Sequence, residues 1–389
     1  MTKRFMTPRA AMVGAVLALA PSAGVAAPAF GVVYSFSGGA DGGAPQARLL
    51  VLHGNLLGTT TAGGSANMGT VFEVTPDGTE TVLHSFTGGA ADGQTPRSGL
   101  VEGGDVWLYG TTYAGGKSGG GTLFKLRPRK LEEVVLYNFA GGGDGSSPWG
   151  SVVLTGNGQI YGTTQGNGAG TLFRFSEGEI ADSVVHGFGS LAVDGAGPVG
   201  QILLDLQGNF YGTTSGGGDA GTIYKIAANG AVSLLHSFTG YSQTGDGAVP
   251  MGGPIVDAQG DLIGTTYDGG NDANFDAGDG TVYKLTPDGT ETILHVFGGP
   301  PDGRQPMGEL VLAHNGALYG TTLQGGRNDQ GTIFEITPDG RERVLYSFTG
   351  GTDGGWPYAG LTMDGAGTLY GTASQGGSSG AGVVFRITP

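Results

Sequence analysis

Apolar residues along this chain fall in short runs with period two, and Gly, Pro, Asn or Asp breaks each run after four to six positions. Branched and aromatic residues in alternation between such punctuation predict β-strands, and no stretch sustains a helical period. The pattern also repeats. Gly-Thr-Thr, or Gly-Thr-Ala in the last copy, starts at Gly58, Gly110, Gly162, Gly212, Gly264, Gly320 and Gly371, at intervals of 50 to 56 residues. That interval fits one propeller blade and exceeds most helical solenoid repeats.

Four strand-like segments recur in each copy. A short apolar run follows a proline (Gly99-Leu100-Val101), and an aromatic-rich run ends in Gly-Thr-Thr (Leu108–Thr112). Next come a Thr-apolar-aromatic-charged-apolar run (Thr281–Leu285) and an apolar run closing on Phe (Ile293–Phe297). The third run carries one aromatic per copy: Phe72, Phe124, Phe173, Tyr224, Tyr283, Phe334 and Phe385. The residue after it is always charged: Glu73, Lys125, Arg174, Lys225, Lys284, Glu335 and Arg386. Neighbouring strand residues face opposite ways, so the aromatics are expected between blades and the charges on a solvated edge.

The repeats open on a fourth-type segment, Val32–Phe36, and finish on a third-type segment, Val383–Ile387. Pairing these two completes the last blade and leaves no long exposed edge. The expected fold is therefore all-β: a seven-bladed β-propeller of four antiparallel strands per blade, closed by its N-terminal strand.

Blocks such as Leu318-Tyr319-Gly320-Thr321-Thr322, Gly325-Gly326, Gly331-Thr332-Ile333-Phe334 and Thr337-Pro338-Asp339-Gly340 resemble the GloVer tandem-repeat proteins of bacteria. The resemblance covers the whole mature chain. It implies export and, often, a C-terminal sorting anchor; no such anchor is expected here, a departure from the family pattern. It carries over no catalytic residue and no general activity.

Glycine (83) and proline (18) make up about a quarter of the 389 residues, a disorder-like level that the periodicity overrides. Lys3, Arg4 and Arg9 precede the uncharged run Ala10–Ala20, and Ala27-Pro28-Ala29 offers a cleavage site, so residues 1–29 read as a signal peptide and residues 30–389 as the propeller. Secreted or periplasmic residence follows. Losing those three cations takes the formal charge from −15 to −18, which disfavours nucleic acid and anionic lipid as partners. Cysteine is absent, excluding disulfides and thiolate chemistry. No integral membrane segment is expected in the mature chain, and a monomer is expected.

Candidate chemistry concentrates in the long loops. Two of the four connections, such as His53-Gly54-Asn55 and Pro76-Asp77-Gly78, are tight turns. The other two are long and share the opposite face, where function on a rigid scaffold usually sits. Each blade-to-blade link carries an Asp-Gly: Asp41, Asp92, Asp144, Asp194, Asp246, Asp302 and Asp353. Their occurrence in every copy points to turn formation through loop amides rather than to one active site.

The position after the loop proline varies instead: Gln46, Arg97, Trp149, Val199, Met251, Met307 and Tyr358. The next residue is always small, from Ala47 to Ala359, as expected where inner strands crowd the axis. The position after Gly-Thr-Thr also varies and includes Tyr113 and Tyr267; Trp356, Tyr241 and Phe275 add rings to the same loops. Gln46, Arg97, Trp149, Trp356, Tyr358, Tyr113 and Tyr267 are therefore the candidate ligand-binding residues. Aromatic faces suit sugar C–H faces and a guanidinium suits carboxylate, so a carbohydrate or protein ligand is expected. The alternatives are rings that merely plug the channel, or a polysaccharide lyase or hydrolase with Arg97 on a uronate and Tyr358 or Tyr113 in proton transfer.

A long acidic insertion in the fifth copy places oxygen ligands at Asp272, Asn274 and Asp276, like the start of a calcium loop. Its glycine comes one residue late, at Gly278, and no downstream glutamate completes it. Calcium is thus a possible cofactor, and a calcium-steadied surface module a third reading. His84, His186, His236 and His295 share one fourth-strand position with Tyr34, Tyr137 and Tyr346. That interchange predicts packing with a polar tip, and successive blades keep the histidines from forming one metal cluster.

Overall fold

The computed structural model describes residues 27–104, 106–166, 168–178, 183–189, 194–240, 245–270 and 278–389. Apart from one 3₁₀ turn at Pro128–Lys130, its described elements are strands. They form seven antiparallel four-stranded sheets, the blades of a seven-bladed β-propeller. Blade 1 runs from its inner strand outward as Leu50–Leu52, Asn55–Ala62, Thr70–Val74 and Glu80–Ser85. The outer strands of blades 2 to 6 are Glu132–Asn138, Ser183–Gly187, Val232–Ser237, Glu291–Val296 and Glu342–Ser347.

Blade 7 takes three strands from the chain's end, Thr362–Met363, Leu369–Ala373 and Val383–Thr388, and its outer strand, Ala29–Ser35, from the beginning. Val32 pairs with Phe385 and Ser35 with Val383, as the sequence pattern predicts. Both ends of the described chain are thereby held in one sheet.

Each residue of Gly-Thr-Thr has its own task. The glycine admits the third-strand aromatic: a Cβ at Gly58, Gly212 or Gly371 would sit 2.5–2.7 Å from that ring. The first threonine reaches the next blade, as Thr321 Oγ1 donates to the Ala359 carbonyl at 2.9 Å and Thr372 to that of Ala47 at 3.3 Å. The second bonds the third-strand threonine within its blade, at 2.7–2.8 Å in six blades. Blade 7 replaces both partners of that pair, with Ala373 and Val383, each fully buried. Removing both partners leaves no orphaned hydroxyl, which explains why Gly-Thr-Ala is tolerated there.

The core lies between blades. The Phe that ends each outer segment meets the third-strand ring of the following blade with centroids 4.9–5.3 Å apart, from Phe36–Phe72 round to Phe348–Phe385. The distances fit edge-to-face aromatic packing. The charges beside those rings do not form the solvated edge expected of them. Lys125 pairs with Glu177 at 2.6 Å, Glu335 with Arg343 at 2.6 Å, and Lys284 with Asp257 at 3.4 Å and with Asp261. Only Arg386 of the seven is exposed. The rest are half-buried or buried against partners the third strand alone does not reveal: acids for Lys125 and Lys284, Arg343 for Glu335, Asn55 for Glu73, Ser183 for Arg174 and the Tyr211 ring for Lys225.

Two features join blade to blade near the axis. The residue before each loop proline has φ between 51° and 63°, and six of the seven are not glycine: Ala44, Thr95, Ser147, Val249, Gln305 and Trp356. Each, with Gly197, turns its N–H onto a carbonyl of the preceding blade's loop at 2.6–2.9 Å. Two residues past the proline the inner strands nearly touch. A Cβ at Gly150 would lie 1.9 Å from the Gly200 oxygen, and one at Gly308 2.1 Å from the Gly360 nitrogen. The small residues therefore do mark axial crowding.

Gly308→Ala is expected to cost about 1–3 kcal/mol of stability by overpacking against backbone. Gly156→Ala, where an added Cβ meets nothing within 4 Å, is the neutral control. Denaturant unfolding of the two variants checks this.

Candidate functional site: the axial mouth and the blade joints

The variable ring converges where the inner strands meet. Gln46, Arg97, Trp149, Met251, Met307 and Tyr358 line one cavity at the axis, with Arg48 and Glu309 beneath them. Its volume is about 60 Å³. Liquid water takes about 30 Å³ per molecule, so a carboxylate-sized group enters and a whole sugar ring does not.

Arg97 is the chemical centre of this mouth. Its guanidinium lies 4.7 Å from the Tyr113 ring centroid and 4.5 Å from that of Trp149. The two rings meet edge to face at 5.8 Å. Both distances are within cation–π range. Among the described residues no carboxylate pairs with Arg97, and its Nε is buried without a hydrogen-bond partner. Arg48, by contrast, donates to Thr362 Oγ1 at 3.2 Å.

Three ring positions fall elsewhere. Val199 is 1% exposed and belongs to the core, because in blade 4 the loop continues as one strand, Ala196–Leu204, and Val199 pairs there with Thr213. Trp356 does not line the cavity; it is the left-handed residue of the blade 6–7 joint, and its Nε1 is buried unpaired. Tyr267 is half-buried at the blade 4–5 joint, where its N–H donates to the Val249 carbonyl at 3.0 Å. Tyr241, Phe275, Asp272, Asn274 and Asp276 lie outside the described residues. A larger cavity, about 730 Å³, opens on the tight-turn face between blades 1 and 2, lined by His53, Glu73, Arg127, Arg129 and Lys130. The irregular turn at Pro128–Lys130, which replaces a Thr-Pro-Asp-Gly turn, shapes it.

The loop aspartates act as expected, and do more. Asp92 accepts the Thr87 and Gly93 amides at 2.7 Å, and Asp144 that of Ala140 at 2.8 Å. Each also meets the ring of the outer strand before it. Tyr34, Tyr137 and Tyr346 donate to Asp41, Asp144 and Asp353 at 2.9 Å. His84, His186, His236 and His295 lie 3.0–3.5 Å from Asp92, Asp194, Asp246 and Asp302.

A third group enters from the next blade. Glu80, Glu133, Glu291 and Glu342 reach back to these pairs, giving His84–Asp92–Glu133, His236–Asp246–Glu291 and His295–Asp302–Glu342, with Glu80 beside the Tyr34–Asp41 pair. At the blade 6–7 joint Phe30 takes that place and stacks on Tyr346 at 3.7 Å. The sequence holds the signal, a Glu four residues before the His or Tyr and so on the same strand face. Which neighbour it meets is set by the ring.

These joints carry perturbed titrations. Burial, followed by the neighbouring aspartate, pushes Glu80 and Glu291 up to about 7 from 4.5. Burial does the same to Glu133 and Glu342, with Asp92 and Asp302 adding to it and the histidines opposing. For Asp92 and Asp246 burial works upward too, but the facing histidine and hydrogen bonds from loop amides outweigh it and hold both below the usual range. Burial opposes charge on His236, yet Asp246 and Glu291 raise it.

The raised glutamates bind protons more tightly folded than unfolded. Their contribution is therefore complete below about pH 4.5 and is lost as pH rises through about 7; the lowered aspartates act oppositely in acid. In chelator-containing buffer, thermal unfolding should shift down by several degrees from about pH 5 to pH 8. Glu80→Gln with Glu342→Gln should flatten that slope.

The whole architecture has known relatives. A family model described as the Gloeobacter/Verrucomicrobia repeat matches residues 10–221, 134–276 and 203–389. Among curated proteins none matches. The extracellular domain of a provisionally named hybrid two-component system from Bacteroides thetaiotaomicron is similar in structure, with a TM-score of 0.59 and 13% identity. The match covers 94% of this chain and 41% of that one. Provisionally named 6-phosphogluconolactonases from Bacteroides uniformis and Bacteroides fragilis superpose with TM-scores of 0.52 and 0.53, each at 17% identity. Both cover 82% of this chain, and 88% and 87% of their own. At these identities the likeness is one of fold. The three family matches span nearly the full length, and the chain belongs to the Gloeobacter/Verrucomicrobia repeat family.

Proposed function

We propose that this chain is an exported, non-catalytic propeller that binds a carboxylate-bearing carbohydrate at its axial mouth. The reading rests on Arg97, a guanidinium held between Tyr113 and Trp149 that no carboxylate among the described residues pairs with. In a protein of formal charge −15, an unpaired cation at the axis selects for an anionic group. The small cavity admits that group while the sugar face lies across Trp149 and Tyr358. Export rests on the basic-then-apolar N-terminus, Lys3 to Ala20.

Catalysis is disfavoured by the groups around the mouth. No histidine lines it, and its one acid, Glu309, accepts the Gln201 amide at 3.1 Å. The larger turn-face cavity presents basic and acidic groups together, Arg129 and Lys130 against Glu73 and Glu102.

Calorimetric titration of the mature chain with oligogalacturonate and with a neutral glucan of equal length tests the proposal. The uronate is expected to bind, and Arg97→Ala to weaken it about tenfold or more while the fold is kept. Trp149→Ala should also weaken it. Equal binding of the neutral glucan, binding indifferent to Arg97→Ala, or release of unsaturated product would each contradict the reading.

A further inference from the structure

We infer that the three blade joints built from His84–Asp92–Glu133, His236–Asp246–Glu291 and His295–Asp302–Glu342 are binding sites for a divalent transition ion of the zinc class. They stand on the ring's outer strands, apart from the axial mouth, and do not depend on how the mouth is read.

Donor chemistry comes first. Each joint offers one imidazole nitrogen and one oxygen from each of two carboxylates, all within 4.8 Å of one another. Nitrogen with carboxylate oxygen suits zinc, whereas calcium and magnesium take oxygen alone. Two acids against one imidazole also leave a charge deficit that a dication would cancel.

Geometry agrees. Zinc bound at about 2.0–2.1 Å in a tetrahedron places its ligand atoms about 3.4 Å apart. His236 Nε2 is 3.5 Å from Asp246 Oδ2 and 3.7 Å from Glu291 Oε1. His84 and His295 stand 3.3 and 3.0 Å from their aspartates. A water would complete each tetrahedron.

Unmet bonding capacity is the independent observation. Glu133 Oε1, Glu291 Oε1 and Glu342 Oε1 are buried with no hydrogen-bond partner, as is His236 Nε2. Orphaned buried polar atoms are costly, so their recurrence calls for a missing partner; Glu80 Oε1 is orphaned too, but Tyr34 stands there in place of the imidazole, so that joint offers no nitrogen–oxygen donor set. The histidine side chains remain 17–20% exposed, which leaves an entry path from the rim. Second contacts already orient the ligands: the Thr239 amide and hydroxyl hold Asp246, and the Gly303 amide holds Asp302.

The ring supplies its own control. His186 and Asp194 form the same pair at 3.0 Å, but Val232 occupies the position the glutamate takes elsewhere, leaving two donors. That joint should not bind.

The test is calorimetric titration of tag-free mature chain, stripped with chelator, with Zn²⁺ and separately with Ca²⁺. Three zinc ions per chain are expected, with a rise in melting temperature. Glu291→Gln should lower the stoichiometry to two, and the triple change His84→Gln, His236→Gln, His295→Gln should abolish binding. His186→Gln should leave three. Because the triple variant could lose stability, its fold is checked by circular dichroism, and Glu291→Gln serves if it unfolds. No zinc binding, stoichiometry indifferent to Glu291→Gln, or loss of a site in His186→Gln would overturn the inference; calcium binding to the same joints with equal strength would refute the ion class.

Discussion

Seven short hydrogen bonds, from the residue before each loop proline to the preceding blade, fix how the blades sit about the axis. Forming them requires left-handed backbone at six non-glycine residues, a conformation that costs about 1–2 kcal/mol each. The cost recurs at six of the seven joints, Gly197 sparing the seventh, so it belongs to the frame and not to any one site. With blades set this closely, only small residues fit at Gly150, Gly200 and Gly308, and the side chains just before them are gathered at the mouth. The ring of edge-to-face phenylalanines stabilises the same arrangement farther out.

On this uniform frame the chain varies two rings of positions. One surrounds the axis, where a single cation flanked by two aromatics stands among neutral side chains. The other follows the outer strands, where the group the next blade brings to a joint is, among the described residues, a glutamate, a valine or a phenylalanine. The second ring governs how neighbouring blades meet: Phe30 on Tyr346 is a stacking contact, while Glu291 beside His236 and Asp246 is a charged one. Strength and chemistry at the joints are thus set blade by blade without altering the fold.

Much of this was legible in the linear pattern. Strand type, blade number, closure by Val32–Phe36, axial crowding and the turn role of the aspartates all follow from period-two alternation and seven aligned copies. What escaped depends on curvature or on local departures from symmetry. Val199 holds the aligned position of Arg97, yet a continuous strand in blade 4 draws it into the core. Trp356 and Tyr267 share loops with the mouth but serve the joints. Histidines read singly showed packing; that His84, His236 and His295 each meet a glutamate from the following blade appears only once the outer strands are placed side by side. The half-buried ion pairs of Lys125, Lys284 and Glu335 were hidden for the same reason.

The mouth and all seven joints exist only in a complete ring, so everything rests on its closure. Gly31 faces Arg386 across the closing pair. In this cysteine-free chain, Gly31→Cys with Arg386→Cys should oxidise to an intramolecular disulfide in nearly all molecules and raise the resistance to unfolding. Failure to cross-link in the folded monomer, or cross-linking only between chains, would contradict the ring.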